Sequence, residues 1–330
     1  MSETTYARLA RAHPTSLVPD MRMRLSMAEL IAVVFFVYVA LAACIFHLGA
    51  RDLGIIIVLD AVTLSTLMAL RRNRERAPWL AGAANFFPAL LLLVAYRESA
   101  LLLTPDPAHR LDHVFIQWDR ALLQSRFVHA VLQAGAPWLE HYLELAYLLC
   151  YPLVPLGVAA MHFGSQRGAG CEDVAQRRRA MDDFWAAVLL ATLFCYAVYP
   201  FFPLTPPRVL FGDVPGPQVA PLLRRMNFWL LDHYSVQACI FPSGHVAAVT
   251  AVALAVRRHA QRFGMLFLFL AASVALATVY GRYHYAADAV TGALVGVVGY
   301  AAANYLARQW FEGEKTRNTN QTESRRFGVF

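Results

Sequence analysis

The chain has 330 residues, 58% of them hydrophobic and 15% charged, and carries 29 Lys and Arg against 22 Asp and Glu for a formal net charge of +7. So small a charged fraction cannot cover the surface of a water-soluble domain, and the composition is that of a membrane protein. The basic excess requires no nucleic acid, because the arginines fall in loops between apolar stretches, where a bilayer protein places them.

A spanning helix needs roughly 20 mostly apolar residues, and eight stretches approach that length: 27–49, 53–70, 79–96, 138–162, 183–203, 243–257, 264–281 and 285–307. The second and sixth are short. The first follows a segment holding Arg8, Arg11, Arg22 and Arg24 and is long enough to span, so it is read as an anchor and not as a cleaved signal. The predicted fold class is all-α, a polytopic transmembrane helical bundle of about eight spans, with six core helices and two added at the amino terminus. The predicted layout is a cytoplasmic segment at 1–26, N-terminal transmembrane helices at 27–96 and an extracytoplasmic amphipathic segment at 97–137. A transmembrane catalytic core follows at 138–310, then a disordered cytoplasmic tail at 311–330, whose polar composition cannot build a core.

Cytoplasmic loops carry the Lys and Arg excess. With eight spans, the amino-terminal side collects the arginines at 71, 72, 74 and 76, at 167 and 177–179, at 257, 258 and 262, and the basic tail. The opposite side holds only Arg51, Arg97, Arg110, Arg120, Arg126, Arg208, Arg224, Arg225 and Arg282. Both termini are therefore predicted to be cytoplasmic, in a plasma or inner membrane. The two long segments, 97–137 and 204–241, are extracytoplasmic. The second contains Pro206, Pro207, Pro215, Pro217 and Pro221, and long loops of this kind are usually functional. Within the first, LDHVFIQWDRALLQSRFVHAVLQ (111–133) spaces its apolar residues as a helix lying in the interface plane or packed over the bundle. The five cysteines, at 44, 150, 171, 195 and 239, show neither paired nor metal-type spacing.

Three polar clusters end up at the extracytoplasmic face: PLTPPR (203–208), PSGH (242–245) and YGRYHYAAD (280–288). His284 and Asp288 are four apart at the head of the last span, so the carboxylate can reach an imidazole nitrogen, fix the tautomer and raise the basicity of the other nitrogen. Half of a metal site is the alternative, but no further ligand-spaced set accompanies the pair. Ser243 and Gly244 sit at a helix start, where unpaired N–H groups and the helix dipole favour an anion. Arg208 and Arg282 add forked donors suited to phosphate oxygens. Together with His245, these residues describe a phosphoryl-transfer site that needs no cofactor: one imidazole attacks phosphorus, the other protonates the departing oxygen, and the cationic donors hold the equatorial oxygens.

These residues resemble the type 2 phosphatidic acid phosphatase superfamily of integral membrane phosphatases and lipid phosphotransferases over about 183–307. The P-S-G-H signature is matched by Pro242, Ser243, Gly244 and His245, and the closing H-x3-D by His284 and Asp288. The resemblance implies a six-helix phosphatase-type core with His284 as the phosphorylated nucleophile, assisted by Asp288. His245 is then the acid for the leaving group, and Ser243 and Gly244 are phosphate ligands. The family's K-x6-R-P motif is met only at Arg208, with Phe201 and Val209 in place of its lysine and proline. In S-R-x5-H-x3-D, Ala277 and Thr278 replace Ser-Arg, and Arg282 offers a substitute charge from a turn that Gly281 permits. PLTPPR and RYHYAADAVTG are similar to the inositol phosphorylceramide synthase-like branch, in which a lipid hydroxyl replaces water as acceptor.

The implied partners are a membrane lipid substrate and the bilayer, with hydrolase and transferase both open. A lipid transporter and an inactive scaffold are the competing classes. Among other polar residues, Glu140, His141 and Glu144 are read as interfacial decoration at the head of the fourth span, and Tyr283 and Tyr285 as interface anchors. Asp232 and His233 are candidate supports for PSGH. Asp60, in mid-span, needs a partner or a function.

Overall fold

In the computed structural model, which describes residues 25–103, 111–123, 137–164, 171–211, 221–236 and 239–326, helix α1 (Met27–Ile45) opens on a capping box. The Ser26 N–H donates to Glu29 Oε2 (2.7 Å) and the Glu29 N–H to Ser26 Oγ (3.3 Å). The N–H groups of Met27 and Ala28 are capped from elsewhere in the chain, by the two oxygens of Asp182 (3.3 and 3.4 Å). Helices α2 (Ala50–Asn73) and α3 (Pro78–Leu101) follow as an antiparallel pair, and proline at the first position of α3 suits a helix start. Next comes α4 (Asp112–Leu123), amphipathic and too short to span; the remainder of the expected interfacial segment, 124–133, lies outside the described residues.

Helices α5 (Pro137–Leu148) and α6 (Cys150–Gly164) fill the stretch expected as one span, 138–162, but they meet at 64°. The cause is Pro152, which has no N–H to give the Leu148 carbonyl and whose ring crowds the preceding turn. Beyond lie α7 (Cys171–Val198), a 3₁₀ turn (Tyr199–Phe201), β1 (Pro203–Leu204), α8 (Pro207–Leu210), α9 (Pro221–Tyr234), β2 (Cys239–Ile240), α10 (Gly244–His259), α11 (Gln261–Tyr280) and α12 (Ala286–Arg326). Apart from one antiparallel ladder, Pro203 opposite Ile240 and Leu204 opposite Cys239, the described fold is all-α.

Six helical stretches are long and apolar enough to cross a membrane, or seven if the bent α5–α6 pair counts as one span. The chain is a multi-pass membrane protein. The expected sixth span, 243–257, is α10. Its 16 residues rise about 24 Å, short of a hydrocarbon core of roughly 30 Å. It need not match that thickness, because it is buried on nearly every side, packing against α6, α7 and α11. Small residues allow this: a Cβ on Gly296 would lie 2.8 Å from the Ala247 carbonyl oxygen, so α12 touches the backbone of α10. Outward-facing Val34, Leu41, Val58, Leu93, Phe269 and Val298 are exposed, an apolar exterior that lipid would cover. Ser26–Ala307 form one compact unit. Helix α12 runs as far as Arg326.

Candidate active site

The start of α10 is organised by Ser243. As N-cap, its Oγ accepts the Val246 N–H (3.4 Å), and its carbonyl takes the first helical bond, from the Ala247 N–H (3.0 Å). The N–H groups of Gly244 and His245 stand outside the helical ladder and point out of the positive end of the helix dipole. Gly244 cannot carry a side chain, because a Cβ would lie 3.0 Å from the Tyr196 ring and closer still to the Tyr199 hydroxyl.

The second cluster lies between α11 and α12. The Thr278 carbonyl accepts both the Tyr283 and the His284 N–H (2.9 and 3.0 Å), which folds the chain into a tight turn. The left-handed residue of this turn is Arg282 (φ 62°); Gly281, expected to permit the turn, has an ordinary helical φ of −74°. Gly281 is required for space instead, since a Cβ there would strike the Tyr283 ring, 2.6 Å from Cδ2. His284 Nδ1 is bonded to Asp288 Oδ2, and that carboxylate is fully buried. The Ser243 N–H donates to the Asp288 carbonyl (3.4 Å), and Gly292 lets α12 press on the turn: a Cβ there would lie 2.6 Å from the Ser243 carbonyl oxygen. The two helix starts are thereby joined, and the rings of His245 and His284 face each other with centroids 6.0 Å apart, crossing at 67°.

The third cluster arrives through the β1–β2 ladder, which sets the Arg208 segment beside PSGH. The Arg208 N–H donates to the Arg282 carbonyl (2.9 Å). Tyr147 and Tyr151, on either side of the α5–α6 bend, have rings 6.3 and 5.6 Å from the His245 ring. Arg282 sends its guanidinium to the Phe211 carbonyl (3.4 Å), so what it gives Arg208 is a backbone acceptor. His245, His284, Asp288, Ser243, Gly244 and Arg208 therefore share one site, with Arg282 at its edge. Among the described residues, no three His, Cys, Asp or Glu side chains cluster in a way that could hold a metal ion.

Residues 113–302, more than half of the chain, match the family model of the PAP2 superfamily. The chain belongs to the PAP2 superfamily. No curated protein and no solved structure matches it. Members of the PAP2 superfamily are phosphatases or phosphotransferases, and the match begins within α4, well before the stretch that carries the sequence motifs.

Several residues of this PAP2 chain differ in place from the sequence reading. Glu144 is no surface decoration. It is buried, and its carboxylate accepts from Arg224 Nη1 (2.6 Å), Asn227 Nδ2 (2.8 Å) and the Tyr283 hydroxyl (2.5 Å), joining α5, α9 and the His284 turn. Glu140, also buried, accepts from the Tyr280 hydroxyl (3.3 Å), whereas His141 is exposed. Tyr283 and Tyr285 are buried as well and are not interface anchors. Tyr283 stacks on Tyr147 (3.7 Å, 12°), and the Tyr285 hydroxyl donates to the Thr205 carbonyl (3.1 Å). Asp60 in α2 meets Glu98 of α3. His233 is exposed, its Nδ1 against the Trp229 carbonyl and its ring over Trp229, so it does not support PSGH.

Proposed function

We propose that this protein hydrolyses a lipid phosphate ester at the extracytoplasmic face through a phosphohistidine. The observation that carries this reading is the convergence of two imidazoles from separate segments, one held by a buried carboxylate and the other standing at a helix start that favours anions. In the first half-reaction, His284 Nε2 attacks phosphorus while Asp288 holds Nδ1. A P–N bond forms, the bond from phosphorus to the lipid oxygen breaks, and His245 gives that oxygen a proton. Ser243 Oγ, the Gly244 N–H and the Arg208 guanidinium hold the equatorial oxygens as charge builds. In the second half-reaction, water gives its proton to His245 and attacks phosphorus; the P–N bond breaks and inorganic phosphate leaves.

General acid–base help of this kind contributes about 10²–10⁴-fold, and one donor to the developing charge about 3 kcal/mol. The extracytoplasmic placement follows from the arginine asymmetry of the loops. A second reading, transfer to a lipid hydroxyl in place of water, is favoured by PLTPPR and RYHYAADAVTG. The test is to incubate purified protein in EDTA with phosphatidic acid, phosphatidylglycerol phosphate and isoprenyl pyrophosphate, and separately with labelled phospholipid, each with and without inositol or ceramide-type acceptors. Phosphate release without acceptor supports hydrolysis, product only with acceptor supports transfer, and neither product speaks against both.

A further inference from the structure

Helix α12 draws caps for its first N–H groups from elsewhere in the chain. Its first helical bond runs from the Ala289 N–H to the Tyr285 carbonyl, so Tyr285 is the N-cap, yet the Tyr285 hydroxyl is committed to Thr205. The cap comes from α4: Asp119 Oδ2 accepts the Ala286 N–H (2.9 Å) and Asp119 Oδ1 the Ala287 N–H (3.0 Å). Seven residues earlier, two turns along the same face, Asp112 Oδ1 accepts the Thr205 N–H and Oδ2 the Thr205 hydroxyl, both at 2.7 Å. Between them, buried Phe115 packs edge-on against Phe241 (4.9 Å), beside Pro242, and against Tyr285 (5.7 Å). One face of one short helix thus grips the segments before Arg208, before PSGH and after His284. Beside Phe115, Trp118 (ring centroids 5.1 Å apart) and Leu122 remain exposed.

We propose that this face of α4 sets the spacing between the Arg208 segment, the PSGH turn and the His284–Asp288 turn, and that Asp119 is the positioning residue of the nucleophile. This role presupposes the phosphohistidine chemistry proposed above. Asp119 occupies the start of α12, where an anion would otherwise bind, and leaves the start of α10 as the helix end open to phosphate. It also sets His284 at the distance from which Nε2 attacks, and misplacement by about 1 Å can cost about 10²-fold in rate.

The full-length protein is assayed on phosphatidic acid in mixed micelles as wild type, Asp119→Ala, Asp119→Asn and Asp182→Ala; the last removes the equivalent cap on Met27 and Ala28, remote from the site. Asp119→Ala is expected to lower kcat about 10- to 100-fold with KM within about threefold, Asp119→Asn to recover part of the loss, and Asp182→Ala to keep kcat. A kcat within twofold of wild type in Asp119→Ala, or equal losses in Asp119→Ala and Asp182→Ala, overturns the role. If Asp119→Ala does not fold, Asp119→Asn decides: an unchanged kcat overturns, and a kcat loss at constant KM supports. Amide exchange is read in parallel, so that a wild type inactive on every lipid phosphate counts against the phosphatase reading alone. In Asp119→Ala the Ala286 and Ala287 amides are expected to exchange at least about fivefold faster, and unchanged exchange overturns the positioning claim.

Discussion

The imidazole rings of His245 and His284 stand 6.0 Å apart, although one opens α10 and the other precedes α12. Their surroundings differ: His284 is fastened to Asp288, whereas the His245 ring packs against the rings of Tyr147 and Tyr151. That asymmetry suits one nucleophile and one proton donor. His284→Ala is expected to abolish turnover. His245→Ala is expected to lose about 10²–10⁴-fold on an alkyl phosphate and far less on p-nitrophenyl phosphate, whose leaving group needs no proton. Equal losses on both substrates in His245→Ala would contradict the assignment.

Glu144 and Tyr283 make the tightest connection between α5 and the nucleophile's turn. Tyr283→Phe keeps the stack on Tyr147 but removes a hydrogen bond to a buried carboxylate, at about 1.5–3 kcal/mol. Glu144→Ala removes the carboxylate paired with Arg224 and is expected to cost about 3–5 kcal/mol. Thermal melts of the detergent-purified variants check both, and the order Glu144→Ala below Tyr283→Phe below wild type is expected. A Glu144→Ala protein as stable as wild type would contradict the network.

Gly292 and Gly299 both lie where α12 touches its neighbours, but only Gly292 meets the Ser243 turn; Gly299 meets Ala191. Alanine at either position overpacks the contact, at about 1–3 kcal/mol. Gly292→Ala is expected to lose both stability and kcat, and Gly299→Ala stability alone. Parallel losses of kcat in the two would show that the contact at Ser243 has no special bearing on the site.

Burial holds the Asp119 carboxyl above the ordinary aspartate value of 3.8; the Ala287 and Ala286 N–H groups pull the other way, and the Asp288 charge adds to the rise. The folded protein therefore binds this proton more tightly than the unfolded chain does. Its contribution to stability is fully present below the unfolded value and is lost as pH rises through the raised folded value. Wild type is expected to gain in melting temperature on Asp119→Asn as pH falls through that window. A loss relative to the variant over the same window would reverse the sign and contradict the burial.

His245, His284, Asp288 and Arg208 are legible in the sequence because each stands in a short motif and the alternation of spans carries the three motifs to one face. The bend at Pro152 is missed when 138–162 is read as one span, because periodicity alone passes over a proline that removes the bond to Leu148. Glu144 and Asp119 are different. A carboxylate on a short helix near the membrane surface is ordinarily solvated. That Glu144 is buried depends on Arg224, Asn227 and Tyr283, and that Asp119 caps α12 depends on α4 crossing over Tyr285, contacts between residues far apart in the chain. Helix α10 is shorter than a bilayer core is thick, because a helix enclosed by others on nearly every side need not match the lipid.

The most direct measurement is acid-sensitive trapping of the enzyme during turnover of a lipid labelled with ³²P in its phosphate group. Wild type is expected to carry label that survives alkali, is lost in acid and maps to the peptide containing His284; His284→Ala is expected to carry none. Label retained by His284→Ala, or steady turnover by wild type with no labelled protein at any time point, would contradict a phosphohistidine at this position.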